Sequence, residues 1–277
     1  MTIPNEVTVG ASPTRSLSTA GAPLLSVEGV TVRFGGILAL DDVSFEISTG
    51  QICGLIGPNG AGKTTLFNCL SRLYDCNPGK IRYQGTELTT LPRGAIAGLG
   101  IGRTFQNLAL FKTMSVLDNV AVGRHCRTSS GFLANALRFS SVAKEEKSSM
   151  AKAEEMVDLL DLRSVAHLRV SDLPFGTQKR VEFARALAAE PTLLLLDEPA
   201  AGLNHQEVSE LGGLVRRIRD HLNITVLLVE HHMSMVMSIS DKVVALNFGR
   251  KIADGSPAEV QANSDVIQAY LGTEATA

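Results

Sequence analysis

The chain has 277 residues, 44% of them apolar and 19% charged, with a net charge of −2, which suffices for one large or two smaller domains with a full hydrophobic core. So even a balance excludes the clustered basic face of a nucleic-acid or anionic-membrane binder. The longest apolar runs, residues 192–196 and 224–229 among them, fall far short of the ~20 residues that span a bilayer. Residues 1–23 are rich in Ser, Thr, Pro, Ala and Gly, lack the apolar stretch of a signal peptide, and read as a disordered N-terminal extension. Cys53, Cys69, Cys76 and Cys126 form no C-x-x-C pair and no zinc spacing. They read as buried, reduced thiols of a cytosolic protein.

From Leu24 to Ile47 apolar and polar residues alternate around a Gly35-Gly36 break, which predicts antiparallel strands. Phe34, just before that break, either stacks on a base or plugs the sheet. Gln51–Ile56 reads as a short buried strand, and Gly57-Pro58-Asn59-Gly60-Ala61-Gly62-Lys63-Thr64-Thr65 follows, matching G-x-x-x-x-G-K-[ST] at every fixed position. Its glycines let successive backbone N–H groups converge on one anion. Lys63 reaches the β- and γ-phosphates and the Thr64 hydroxyl is a ligand for Mg²⁺. Leu66, Phe67, Leu70 and Leu73 then recur at helical spacing, so a helix leaves the loop with its positive end toward the phosphates. This chain binds a nucleoside triphosphate with Mg²⁺ on that reading.

Lys80–Gly85 reads as a strand ending in a turn, and residues 91–102 as too glycine-rich for a firm helix. Gln106 follows, by itself no more than a surface amide. Ser115–Arg124 and Lys144–Leu162 are predicted helices, the second with Met150, Met156, Val157 and Leu160 on one face. Gly131–Phe139 between them is apolar enough for a docking surface or for packing within this helical block. Leu173-Pro174-Phe175-Gly176-Thr177-Gln178 opens a helix closed by Pro191 and is either an anion-binding helix N-terminus or an ordinary helix start.

Residues 192–196 (TLLLL) predict a strand buried on both faces, as in a parallel sheet, whose carboxyl end carries Asp197 and Glu198. Asp197 is placed to hold Mg²⁺ and Glu198 to act as general base toward water. Two such adjacent carboxylates repel one another unless a cation is present. A helix over His205–Leu222 and a second buried strand, Ile224–Val229, lead to His231 on the ligand side of the sheet, where it is either structural or reaches a γ-phosphate. A hairpin (Asp241–Asn247, Arg250–Ala253) and two short helices from Pro257 to Leu271 complete the chain.

Phe34, the loop Gly57–Thr65, Gln106, Leu173–Gln178, Leu196-Asp197-Glu198-Pro199, Ala201-Gly202-Leu203-Asn204 and His231 together resemble the ordered motif set of ATP-binding-cassette ATPases. GRTFQNLALFKTMSVLDNV, EPAAGLN, VEHHM and DVIQAYLG narrow the resemblance to the first ATPase subunit of branched-chain amino-acid importers. The resemblance implies an α/β fold: a P-loop core with a mostly parallel sheet, an antiparallel β lobe and a helical subdomain over about residues 104–182. The ATPase domain would cover 24–255 and a helical tail 256–277. It implies a head-to-tail pair with a second ATPase subunit, different or identical, in which residues 173–178 act on the partner's ATP. Thr64, Gln106 and Asp197 would organise Mg²⁺, Glu198 would activate water and His231 would contact the γ-phosphate. Two transmembrane permease subunits, and indirectly an extracytoplasmic solute-binding protein, would complete an importer at the cytoplasmic face of the inner membrane, with no nucleic acid involved. The family's L-S-G-G-Q reads here Leu173-Pro174-Phe175-Gly176-Thr177, without the serine hydroxyl, and His232 replaces the acid after the histidine. The alternatives are a non-transport cassette ATPase and a nucleotide-binding regulator without turnover.

Overall fold

The computed structural model describes residues 22–104, 108–127 and 140–274; Gln106, the stretch 131–139 and most of the N-terminal extension lie outside them. Strands β1 (Leu25–Phe34) and β2 (Ile37–Ile47) form the expected antiparallel hairpin, Phe34 opposite Ile37 and Leu25 opposite Ile47. β3 (Ile52–Ile56), buried throughout, feeds the phosphate loop and helix α1 (Lys63–Leu70). After β4 (Lys80–Tyr83) and β5 (Thr86–Glu87), a short helix α2 (Ala95–Gly98) leads to β6 (Ile101–Arg103). Helices α3 (Val116–Val122), α4 (Ser140–Leu159) and α5 (Phe175–Ala188) follow. The chain then alternates β7 (Leu193–Asp197), α6 (His205–Leu222), β8 (Thr225–Val229), α7 (Met233–Ile239) and β9 (Lys242–Asn247). It closes with β10 (Arg250–Gly255), α8 (Pro257–Ala262) and α9 (Ser264–Glu274).

Two sheets result, a four-stranded one in the order β2-β1-β4-β5 and a six-stranded one in the order β10-β9-β3-β8-β7-β6. The first is antiparallel throughout. In the second, β9, β3, β8, β7 and β6 run parallel, and β10 adds an antiparallel edge. The period of two along each parallel strand divides the core. Leu193, Leu195, Leu227, Val229, Val244 and Leu246 pack with α1 and the antiparallel sheet, whereas Leu194, Leu196, Val226, Leu228 and Val243 pack with α4 to α7. Each fully buried Leu or Val contributes ~1.5–3 kcal/mol, which is why runs such as LLLL can only be central strands. The parallel strands end together, bringing the residues after β3, β7 and β8 to one edge of the sheet.

The structure corrects several boundaries. α1 stops at Leu70 because Arg72 turns into the left-handed region at φ 56 and the Leu73 N–H closes back on the Asn68 carbonyl at 2.7 Å, so Leu73 lies beyond the helix and is exposed. The helix expected over 144–162 runs Ser140–Leu159; its inward stripe is Ala153, Met156 and Val157, continued by Leu160, and Met150, one turn earlier, is exposed. The glycine-rich stretch 91–102 holds both α2 and most of β6, a strand of 3 residues whose state is set by pairing with β7 rather than by local pattern. The helix after Leu173 begins at Phe175 with Pro174 as its N-cap, so Gly176, Thr177 and Gln178 lie inside its first turn.

Candidate active site

The phosphate loop leaves β3 with Gly57 at φ 150 and closes onto α1 with Gly62 at φ 102. A Cβ at Gly57 would lie 2.2 Å from the Leu246 carbonyl oxygen, and one at Gly62 would lie 2.7 Å from that of Ala39. Both positions exclude every other residue on steric grounds alone. No side chain caps the N-terminus of α1, so its first amides face the loop. Pro58, Asn59, Gly60 and Ala61 form the loop's body, and Thr64 and Thr65 follow Lys63 in the first helical turn. Lys63 is only 5% exposed and its Nζ donates to the carbonyls of Gly57 at 2.7 Å and Pro58 at 2.9 Å. Burial lowers its pKa, while the nearby charges of Glu198 and Asp197 work the other way.

The acidic pair lies across from that ammonium. Asp197 ends β7 and accepts a hydrogen bond from Arg103 Nη2 at 3.0 Å. Burial raises its pKa, opposed by Arg103 and Lys63 and reinforced by Glu198. Glu198 sits in the left-handed region at φ 47, a strain of ~1–3 kcal/mol that only a well-determined setting sustains. Its N–H donates to the Val229 carbonyl at 2.9 Å, and its Oε1 lies 2.8 Å from His231 Nε2. The break in strand geometry aims the two carboxylates apart: Asp197 toward the arginine, Glu198 toward the histidine. The cation that the adjacent acids demand is thus supplied within the chain, by Arg103 and Lys63.

Two side chains here escaped sequence reasoning. Arg103 lies within the GRTFQN stretch but was assigned no role there, because its role depends on β6 lying beside β7. Glu230, 2% exposed, accepts from the amide of Ala200 at 2.7 Å through Oε1, and from those of His231 at 2.8 Å and His232 at 3.2 Å through Oε2. It joins the segment after Glu198 to the segment carrying His231. A charged residue closing a run of buried apolar ones, ITVLLVE, was the available signal. At the loop's far side the Tyr270 hydroxyl of α9 lies beside the Gly57 backbone, whose N–H opposes the upward push of burial on its pKa.

Leu173–Gln178 stands elsewhere. The Phe175 ring covers Gly202, where a Cβ would lie 3.1 Å away, and Gln178 Nε2 donates to the Leu173 carbonyl at 2.8 Å. Pro174, Gly176 and Thr177 line a cleft of about 310 Å³ with Lys179, Arg180 and Glu207. Among the described residues no hydrogen bond or ion pair joins this turn to the phosphate loop. Phe34 is 45% exposed, so it does not plug the sheet; Tyr74 meets it edge-on with centroids 5.0 Å apart.

A family model described as ABC transporter matches residues 40–201, and one described as branched-chain amino acid ATP-binding cassette transporter matches residues 250–276. The chain is 44% identical over 250 residues to the high-affinity branched-chain amino acid transport ATP-binding protein BraF of Pseudomonas aeruginosa, covering 90% of this chain and 98% of that protein. It is 42% identical, with the same coverage, to LivG of Escherichia coli, which bears the same description. A solved ATP-binding cassette of an ABC transporter in its ADP conformation superposes with a TM-score of 0.79 at 28% identity, over 91% of this chain and 100% of that one. Sequence match and three-dimensional likeness agree over nearly the whole chain, which therefore belongs to the ABC transporter family as one of its ATPases.

Proposed function

We propose that this ATPase powers the uptake of branched-chain or other hydrophobic amino acids through a partner permease. The observation that carries the chemistry is Glu198, held off the β7 line at φ 47 with Oε1 2.8 Å from His231 Nε2, next to Asp197 and the buried Lys63. The transport reading is supported by the C-terminal match at residues 250–276 and by the relatives described as branched-chain amino acid transport proteins. A non-transport cassette or a regulator without turnover finds no such support.

Lys63 exchanges its bonds to the Gly57 and Pro58 carbonyls for the β- and γ-phosphates of ATP, and the loop amides and the N-terminus of α1 hold the remaining phosphate charge. Phe34, exposed beside Tyr74, stacks on the base. Glu198 accepts the proton of the attacking water, and His231 orients the γ-phosphate against it.

The donor set fits Mg²⁺. Among the described residues no group of three or more His, Cys, Asp or Glu could hold a metal ion, whereas one buried carboxylate and a hydroxyl suit a hard cation that keeps its waters and shares phosphate oxygens. Asp197, Thr64 and Gln106 would hold it, and when bound it neutralises the charge developing on the phosphoryl oxygens.

The separation of Leu173–Gln178 from the chain's own phosphate loop supports a head-to-tail pair, in which this turn completes the ATP site of a second ATPase subunit. A groove of about 560 Å³ lined by Leu73, Ile96, Phe111, Val122 and Arg185, next to the strand that leads toward Gln106, suits a segment of a permease subunit. Among the described residues no helix is long and apolar enough to cross a membrane. Attachment at the cytoplasmic face of the inner membrane would thus come through two permease subunits, with an extracytoplasmic solute-binding protein delivering the amino acid.

The test is reconstitution. The chain, co-purified with its membrane partners and placed in vesicles with the binding protein, should accumulate labelled leucine in an ATP-dependent manner. Membrane partners that move no hydrophobic amino acid, or none at all, would refute the reading.

A further inference from the structure

Arg103 ends the short strand β6, opposite Leu195 and so two residues before Asp197 on the neighbouring strand. Its guanidinium spans two elements. Nη2 donates to Asp197 Oδ2 at 3.0 Å. Nη1 donates to Asn68 Oδ1 at 3.0 Å and Ser71 Oγ at 2.9 Å and lies 3.5 Å from the Phe67 carbonyl, while Cζ stands 5.8 Å from the centroid of the Phe67 ring. The two charged side chains are 12% and 6% exposed, so the pair is buried and poorly screened. The acceptors at the end of α1 are neutral. They fix the planar fork in place and leave its charge directed at the carboxylate, an arrangement that lysine, with one compact head, cannot reproduce.

We propose that Arg103 is a positioning residue for the metal-binding carboxylate: by gripping Oδ2 of Asp197 while anchored to Asn68 and Ser71, it fixes the carboxylate's orientation and locks the far end of the phosphate-loop helix to the end of β7 before nucleotide arrives. The inference rests on the reading of Asp197 as the carboxylate that serves Mg²⁺. It goes further in assigning the setting of that carboxylate to Arg103, three positions before Gln106, a residue to which the motif pattern gives no role. Without the guanidinium, Asp197 faces Glu198 with Lys63 as its remaining nearby cation, and its orientation is free to change.

The experiment measures binding of a fluorescent ATP analogue to the full chain, with Mg²⁺ and in EDTA, for wild type, Arg103→Met, Arg103→Lys and Asp197→Asn. The quantity read is the ratio of the two affinities, the gain that Mg²⁺ confers. Arg103→Met should leave the EDTA affinity unchanged and cut the Mg²⁺ gain by about tenfold, the lower end of the range for outer-sphere partners of metal ligands. Arg103→Lys should fall between it and wild type, and remains informative if the methionine variant does not fold. Mn²⁺ binding to the ATP-analogue complex, followed by electron paramagnetic resonance, should weaken in parallel. An unchanged or larger Mg²⁺ gain in both arginine variants overturns the proposal. So does equal loss of binding with and without Mg²⁺, which would reduce Arg103 to a structural tie. If Asp197→Asn itself keeps the full Mg²⁺ gain, the underlying assignment of Asp197 fails; if Asp197→Asn loses the gain and the arginine variants keep it, only the inference about Arg103 fails.

Discussion

Glu230→Gln isolates the link between the segment after Glu198 and the loop carrying His231. The native carboxylate accepts three backbone N–H groups, one at Oε1 from Ala200 and two at Oε2 from His231 and His232. Glutamine has the same shape but only one acceptor oxygen, and its NH₂ must face a donor. The less costly orientation keeps the oxygen on the histidine amides and turns the NH₂ against the Ala200 N–H, losing the 2.7 Å bond. Losing one bond to a charged group in a buried site costs ~1.5–3 kcal/mol. For a chain of this size that corresponds to a fall in Tm of roughly 3–12 °C. The lost bond is the one that places the segment after Glu198 against the His231 loop, so turnover should fall by about ten- to a hundredfold if the cost appears in the transition state. ATP affinity should stay near wild type, because the phosphate loop is untouched. Thermal melting, equilibrium binding of an ATP analogue and steady-state phosphate release by the assembled transporter are the assays. Wild-type Tm and turnover would refute the reasoning, and a loss confined to ATP affinity would place Glu230 in nucleotide binding instead.

Lys63→Ala should remove most ATP-analogue binding, since the phosphates lose the cation held at the loop; wild-type affinity by fluorescence titration would exclude this loop as the site. Cys76 and Cys69 form a hydrogen-bonded thiol pair. The Cys69 thiol, which acts as hydrogen-bond donor to Cys76, holds Cys76 down to about 7, helped by Arg72 and opposed by burial, while Cys69 itself is pushed up. Alkylation of Cys76 by iodoacetamide, followed by mass spectrometry, should therefore rise through about pH 7 in the folded chain. Cys69→Ala should move that midpoint up toward the ordinary thiol value of 9.0, and an unmoved midpoint would contradict the hydrogen bond as its cause.

The phosphate loop, the strand-end acids and His231 were legible in the sequence because each is a local pattern with a chemical reason: glycines where a Cβ would strike backbone, and carboxylates or a histidine closing a fully apolar strand. The parallel sheet followed from the same runs, since LLLL and TVLLV have no solvent-facing alternation. Arg103 and Glu230 were not legible. Their importance arises from partners 94 and 30 residues away; for Glu230 the charge closing an apolar run marks a special position but names no partner. β6 was missed because its 3 residues hold a strand only by pairing with β7. Adjacent carboxylates call for a cation, and chain topology decides which meets them first; here it is Arg103. Gly212 lies within α6, where a Cβ would come within 3.3 Å of Ile239 in α7, so the glycine permits a close helix contact that its local sequence does not show.

Glu198→Gln probes the proposed role of Glu198 as base for ATP hydrolysis, because the amide keeps the shape and loses the ability to take a proton from water. Phosphate release by the assembled transporter should fall nearly to background while ATP-analogue binding persists. Turnover at the wild-type rate with the substitution in place would show that Glu198 is not the base.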